Sequence, residues 1–110
     1  MAYDESLAGR IRDRLACTIG ITEKKMFGGI GFLLGGNICV GVWKDSLIVR
    51  LDADAGAAAL DEPHVRPFDI TGRPMRGWIL VDPPGIADDK ALNEWLHRAV
   101  EFVQTLPTKQ

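Results

Sequence analysis

Ile30-Gly31-Phe32-Leu33-Leu34-Gly35-Gly36-Asn37-Ile38-Cys39-Val40-Gly41-Val42-Trp43-Lys44-Asp45-Ser46-Leu47-Ile48-Val49-Arg50-Leu51 holds three apolar runs separated by turn residues. Residues 30–34, 38–43 and 47–51 read as strands, with Gly35-Gly36-Asn37 supplying a tight hairpin and Lys44-Asp45-Ser46 the next turn. Connections this short cannot carry a crossover, so the strands form an antiparallel meander. Leu47, Val49 and Leu51 alternate with Ile48 and Arg50, which predicts one better-buried face. Just upstream, Lys25-Met26-Phe27 reads as a short additional strand.

Helical patterns flank the meander. Leu7, Ala8, Ile11 and Leu15 recur on one face of a helix predicted from Asp4 to about Cys17, with Asp4 or Ser6 as its cap. Thr18-Ile19-Gly20-Ile21-Thr22 ends that helix. Asp52 opens a short alanine-rich helix through about Leu60, and Pro63 stops it. Val65 to Ile70 is a connection or short edge strand, because Pro67 argues against a central position. Trp78-Ile79-Leu80-Val81 is the last strand, and Pro83-Pro84-Gly85 a breaker. Leu92, Trp95, Leu96, Ala99, Val100 and Val103 then follow helical spacing between Asp88 and about Thr105. The order α-β-β-β-β-α-β-α predicts an α+β domain, an antiparallel sheet with flanking helices in two layers. One domain is expected over residues 1–110, with a loose tail from about 105.

The formal charge of −2, from 13 cationic and 15 anionic side chains, gives no global attraction to nucleic acid, so any basic site is local. The acidic start lacks a secretion signal, and no apolar run is long enough to span a membrane. Cys17 and Cys39 stand outside any C-x-x-C pair, so no metal site or other cofactor is indicated, and reduced thiols fit a cytoplasmic protein. Cys39, between Ile38 and Val40, is expected to be buried.

Two segments share a composition that points to binding. Lys24-Lys25-Met26-Phe27-Gly28-Gly29 and Gly72-Arg73-Pro74-Met75-Arg76-Gly77-Trp78 each put two cations beside a Met, a large aromatic and glycines. The glycines of 28–31 lead into a strand rather than opening a helix, so a bend or close backbone packing explains them better than phosphate binding. Lys24, Lys25, Arg73 and Arg76 are the candidate contact residues, with Trp43 and Trp78 as apolar anchors. Arg50 and Asp69 are secondary ligand candidates; an anion site requires a pocket converging on Arg50, Asp69 and Arg73. No catalytic residue is assigned: His64 and His97 have no nucleophile and orienting acid identifiable around them, and the carboxylates are explained by caps and turns.

These motifs also carry a resemblance. Lys24-Lys25-Met26-Phe27-Gly28-Gly29, Gly41-Val42-Trp43, Leu47-Ile48-Val49-Arg50-Leu51, Arg66-Pro67-Phe68 and the Gly72–Trp78 segment closely resemble the TfoX N-terminal-domain family, in order and in spacing, over nearly the whole chain. The resemblance implies an α+β domain similar to the secretion-chaperone-like fold, and no catalytic residues. Full-length members regulate natural competence with the cyclic-AMP receptor protein and carry a helical C-terminal domain, which is expected to be absent from a chain ending at Gln110. The expected function is a non-enzymatic binding module, an accessory factor in transcription or competence-type regulation with a protein partner. A small anionic-ligand-binding protein or an enzyme is the alternative, and direct nucleic-acid binding a third reading. An exposed meander edge also invites a homodimer.

Overall fold

The computed structural model describes residues 3–26, 28–70, 72–73 and 75–107. Phe27, Thr71 and Pro74 of the motif regions and the final 108–110 lie outside them. The described chain runs α1 (Glu5–Arg14), β1 (Ile21–Met26), β2 (Gly29–Leu34), β3 (Asn37–Trp43), β4 (Ser46–Arg50), α2 (Ala53–Ala59), β5 (Val65–Pro67), β6 (Trp78–Val81), a 3-10 turn (Pro83–Ile86) and α3 (Asp89–Val103). The six strands form one antiparallel sheet in the order β1-β2-β3-β4-β6-β5. This is the α+β architecture and element order expected from the sequence.

Each α-helix begins on an aspartate. Asp4 Oδ1 accepts from the amides of Ser6 (2.9 Å) and Leu7 (3.2 Å), Asp52 from Ala55 (2.7 Å) and Asp88 from Ala91 (2.7 Å). Such caps satisfy amides that the first helical turn leaves without a partner, each contributing about 1 kcal/mol. Asp89 does more than favour the dipole of α3. Its two carboxylate oxygens meet Arg10 (3.3 Å) and Arg14 (2.7 Å), tying α3 to α1.

All three helices pack against one face of the sheet. Leu7 and Ile11 of α1 and Leu15 at its C-cap, Ala59 of α2, and Leu92, Trp95, Leu96, Ala99 and Val103 of α3 share a buried cluster with Ile30, Phe32, Val40, Val42, Leu47, Val49, Ile79 and Val81. The strand partners agree, since Phe32 faces Val40, Val40 faces Val49 and Val49 faces Ile79 across successive ladders.

Four details differ from the sequence expectation. The first strand starts at Ile21 rather than Lys25, so Ile21 and Thr22 belong to the sheet instead of terminating α1. Exposed residues Thr22 to Lys25 hide this strand from any search for apolar alternation. Pro83-Pro84-Gly85 forms a 3-10 turn instead of an irregular break. The β2–β3 ladder shifts register, with Phe32 opposite Val40 but Leu33 opposite Ile38. Cys39 is the extra residue of a bulge, which lets both Cys39 and Val40 join the helix-side core. Finally, Ile48 on the other face of β4 is as buried as its neighbours, because Phe68, Ile70 and Met75 pack over it.

Gly56 of α2 and Gly77, just before β6, cross backbone to backbone: a Cβ on Gly56 would stand 2.5 Å from the Gly77 Cα. Gly77 also has φ of +85° and packs against the Leu51 carbonyl. Gly72 has a similar φ of +95° but open space around it. Chemical denaturation should therefore rank the two alanine variants clearly. Gly72→Ala should cost about 1 kcal/mol from the left-handed conformation alone. Gly77→Ala should cost at least about 2 kcal/mol more, because backbone must also move. Equal losses would show that the crossing does not constrain the fold.

Candidate functional site

The face of the sheet opposite the helices carries a second, smaller core. Ile48, Phe68 and Leu80 are buried there, with Trp43, Ile70, Met75 and Trp78 packed around them. Phe68, Ile70 and Met75 make this cover. Phe68 accepts at its carbonyl from the Met75 amide (3.1 Å), Met75 accepts from the Trp78 amide (3.0 Å), and the rings of Phe68 and Trp78 lie 5.4 Å apart. The cover reaches the β4–β6 half of the face.

Over the β1–β3 half lies a groove of about 480 Å³, lined by Lys24, Met26, Leu33, Gly36, Asn37, Ile38, Arg50 and Trp78. Glycines make it concave. Gly31 and Gly41 stand opposite each other on this face, and Met26 lies against Gly31, where a Cβ would meet its Sδ at 2.9 Å. A Cβ on Gly41 would stand 2.6 Å from the Ile30 carbonyl oxygen. Gly29 and Gly31 are thus packing residues of β2, whereas Gly28, with φ of +76° and open space around it, serves the bend ahead of the strand.

Arg50 is held in place at one side of the groove. Its Nη1 donates to the Ile38 carbonyl (3.4 Å), and the guanidinium carbon lies 5.3 Å from the Trp78 ring centre and 5.9 Å from that of Phe102. Among the described residues the bond to Ile38 is the one hydrogen bond of its fork of five donors, which suits a carboxylate or phosphate. Lys24 approaches from β1, opposite Gly31. Among the described residues the groove lining contains no carboxylate.

The remaining candidates scatter. Lys25 pairs with Ile30 in the ladder and so projects from the helix-side face, away from Lys24. Arg76 borders a separate depression of about 200 Å³ between α2 and β6, and exposed Arg73 lines neither. Trp43 sits half-buried with the Lys44 ammonium 4.7 Å and the Arg66 guanidinium 5.9 Å from its ring centre. The expected convergence of Arg50, Asp69 and Arg73 does not occur: Asp69 is exposed in the covering loop, and the second cation at Arg50's groove is Lys24. Asp69 does not pair with Arg66 either, because Arg66 donates to Asp82 (2.9 Å). Burial raises the Asp82 carboxyl, but hydrogen bonds from Arg66 and buried Ser46 outweigh that and hold it below its ordinary range.

A depression of about 670 Å³ lies between α2 and α3 over Leu51 and Phe102. Its acids are occupied: Asp52 caps α2, Glu62 pairs with Arg98 (2.8 Å) and Glu101 with His97 (2.9 Å). No group of three His, Cys, Asp or Glu able to hold a metal ion occurs among the described residues. No described helix is long and apolar enough to cross a membrane.

The model of the TfoX N-terminal domain matches residues 13–103. The chain belongs to that family. This TfoX-type domain thus has the element order its motifs imply, and the family is associated with competence and regulation. No curated protein and no solved structure matches the chain. Within the family motif, Met26 packs on Gly31 and Gly77 on Gly56, so part of the motif serves the fold.

Burial pushes the Cys39 thiol up to about 12, against the opposing pull of Arg50. A thiol-specific chromogenic reagent at pH 8 should therefore modify exposed Cys17 alone in the native protein and both cysteines in urea. The thiol keeps its proton in the folded chain where an unfolded one, ionising near 9, would lose it. Stability should be unaffected by this group below pH 9 and fall as pH climbs toward 12. Rapid native modification of Cys39 would contradict the bulge geometry.

Proposed function

We propose that this TfoX-type domain is a non-enzymatic binding module, an accessory factor in regulation, and that it binds an acidic protein partner through the groove on its helix-free face. The observation that carries this reading is the meeting of Lys24 and Arg50 on one apolar-floored groove without a lining carboxylate. Neither cation has an ion-pair partner among the described residues, whereas Arg10, Arg12, Arg14, Arg66 and Arg98 all do. Two unneutralised cations beside apolar surface favour an anionic group joined to an apolar body. The non-enzymatic part is supported by the protonated, buried Cys39 and by His97 held in a surface pair. Free thiols at Cys17 and Cys39 suit the cytoplasm.

Affinity capture from lysate, followed by reconstitution with the purified partner, tests the reading. Lys24→Glu and Arg50→Gln should each weaken the complex at least tenfold, while Lys90→Glu, exposed on α3, should leave it unchanged. Equal binding by all four proteins would remove the groove from consideration. The groove volume also suits a small organic anion. In a thermal-shift screen such a ligand at about 100 times its Kd would stabilise the protein by about 2.7 kcal/mol, and a hit lost in Lys24→Glu would favour that second reading.

A further inference from the structure

β1 forms one end of the sheet, pairs with β2 alone, and exposes Thr22, Glu23, Lys24 and Lys25. It has six residues and no proline, so its outer row of backbone donors and acceptors is open to a further strand. The opposite edge is different. β5 has three residues and ends in Pro67, which has no amide to donate.

The charge along β1 indicates what such a strand would carry. Lys24 projects on the groove side and Lys25 on the helix side, and neither has an ion-pair partner among the described residues. Glu23, just before them, is taken by Arg12, whose guanidinium donates to both carboxylate oxygens at 2.7 Å. The free charge of the edge is therefore positive on both faces. A ligand lying in the groove reaches Lys24 only. A strand alongside β1 presents alternate side chains to the two faces and reaches both lysines.

A second copy of this chain fits the edge poorly. In a two-fold antiparallel pairing one residue must stand opposite its own copy. An axis at Glu23, Lys24 or Lys25 gives that pair like charges, although an axis at Lys24 also sets Glu23 opposite the other copy's Lys25. Glu23 is the only carboxylate of β1 and is already held by Arg12, so in any register a copy's β1 brings no free carboxylate to the lysines.

We propose that β1 is a docking edge for an extended acidic segment of the partner protein, which adds antiparallel to the sheet with two consecutive carboxylates against Lys25 and Lys24. The next residue on the groove side then meets Met26, so an apolar side chain precedes the acidic pair. The proposal rests on the reading that the partner is a protein.

The probe is a capped ten-residue peptide centred on Val-Glu-Glu-Thr-Val, compared with the same peptide N-methylated at alternate residues. Fluorescence anisotropy and amide hydrogen exchange read the binding. One-to-one binding, slowed exchange within 21–26, at least tenfold weakening by Lys24→Glu and separately by Lys25→Glu, and loss on N-methylation would support strand addition. Both lysines are exposed, so these variants leave the core intact. Undiminished binding of the N-methylated peptide overturns the proposal. So does weakening by Lys24→Glu and Arg50→Gln without an effect of Lys25→Glu, a result that keeps the groove as the protein site. Failure of the peptide to bind, or self-association through β1 in sedimentation, also overturns it. The captured partner still judges the groove independently.

Discussion

Among the described residues three α-helices cover one face of a six-stranded sheet, and no α-helix remains for the other. The covered face carries the main core, from Phe32 and Val40 across to Val49 and Ile79. The other face still has apolar side chains to remove from water, and the loop carrying Phe68, Ile70 and Met75 does so for Ile48 and Leu80. That loop is too short to dress the whole sheet. The β1–β3 half stays open, and the groove exists there because a loop replaced a layer. An antiparallel sheet tolerates such asymmetry, because its strands can be apolar on one side and mixed on the other.

Much of this was legible from residue order. Asp4, Asp52 and Asp88 announce their helices because a short side-chain acceptor beside free amides has one local solution. The hairpin at Gly35-Gly36 follows from turn chemistry, and both residues adopt positive φ. Features that depend on a partner strand were hidden. Ile21 to Met26 carries charges through most of its length, so only its ladder with β2 identifies it as a strand. The bulge at Cys39 depends on how β2 and β3 align, and no single-strand pattern encodes it.

The candidate site was legible in a different measure. Composition drew attention to Lys24 and Lys25 together, yet adjacent residues on a strand point to opposite faces. Once that strand is recognised, the pair divides. Arg50 stood out only as the polar member of an apolar run. Its role depends on Trp78 standing next to it across the β4–β6 ladder, a neighbour 28 positions away along the chain. Arg73 and Arg76 lie on the loop that covers the face, and that loop's buried work is done by Phe68 and Met75.

The two described ends of the chain are moored to opposite ends of one strand. Tyr3 bridges to Lys44, just beyond the end of β3, and the Asp4 amide donates to the Lys44 carbonyl (2.6 Å). At the other end, Asn37 at the start of β3 donates to the Pro107 carbonyl (2.9 Å). The moorings are separated by the length of a seven-residue strand, about 20 Å. Asn37 also lines the groove. An affinity handle or fluorophore fused after Pro107 would emerge beside the groove mouth, while one fused ahead of Tyr3 would leave from the far end of the sheet. Labels for binding measurements therefore belong at the amino end, and a bulky carboxyl-terminal fusion would act as a built-in competitor.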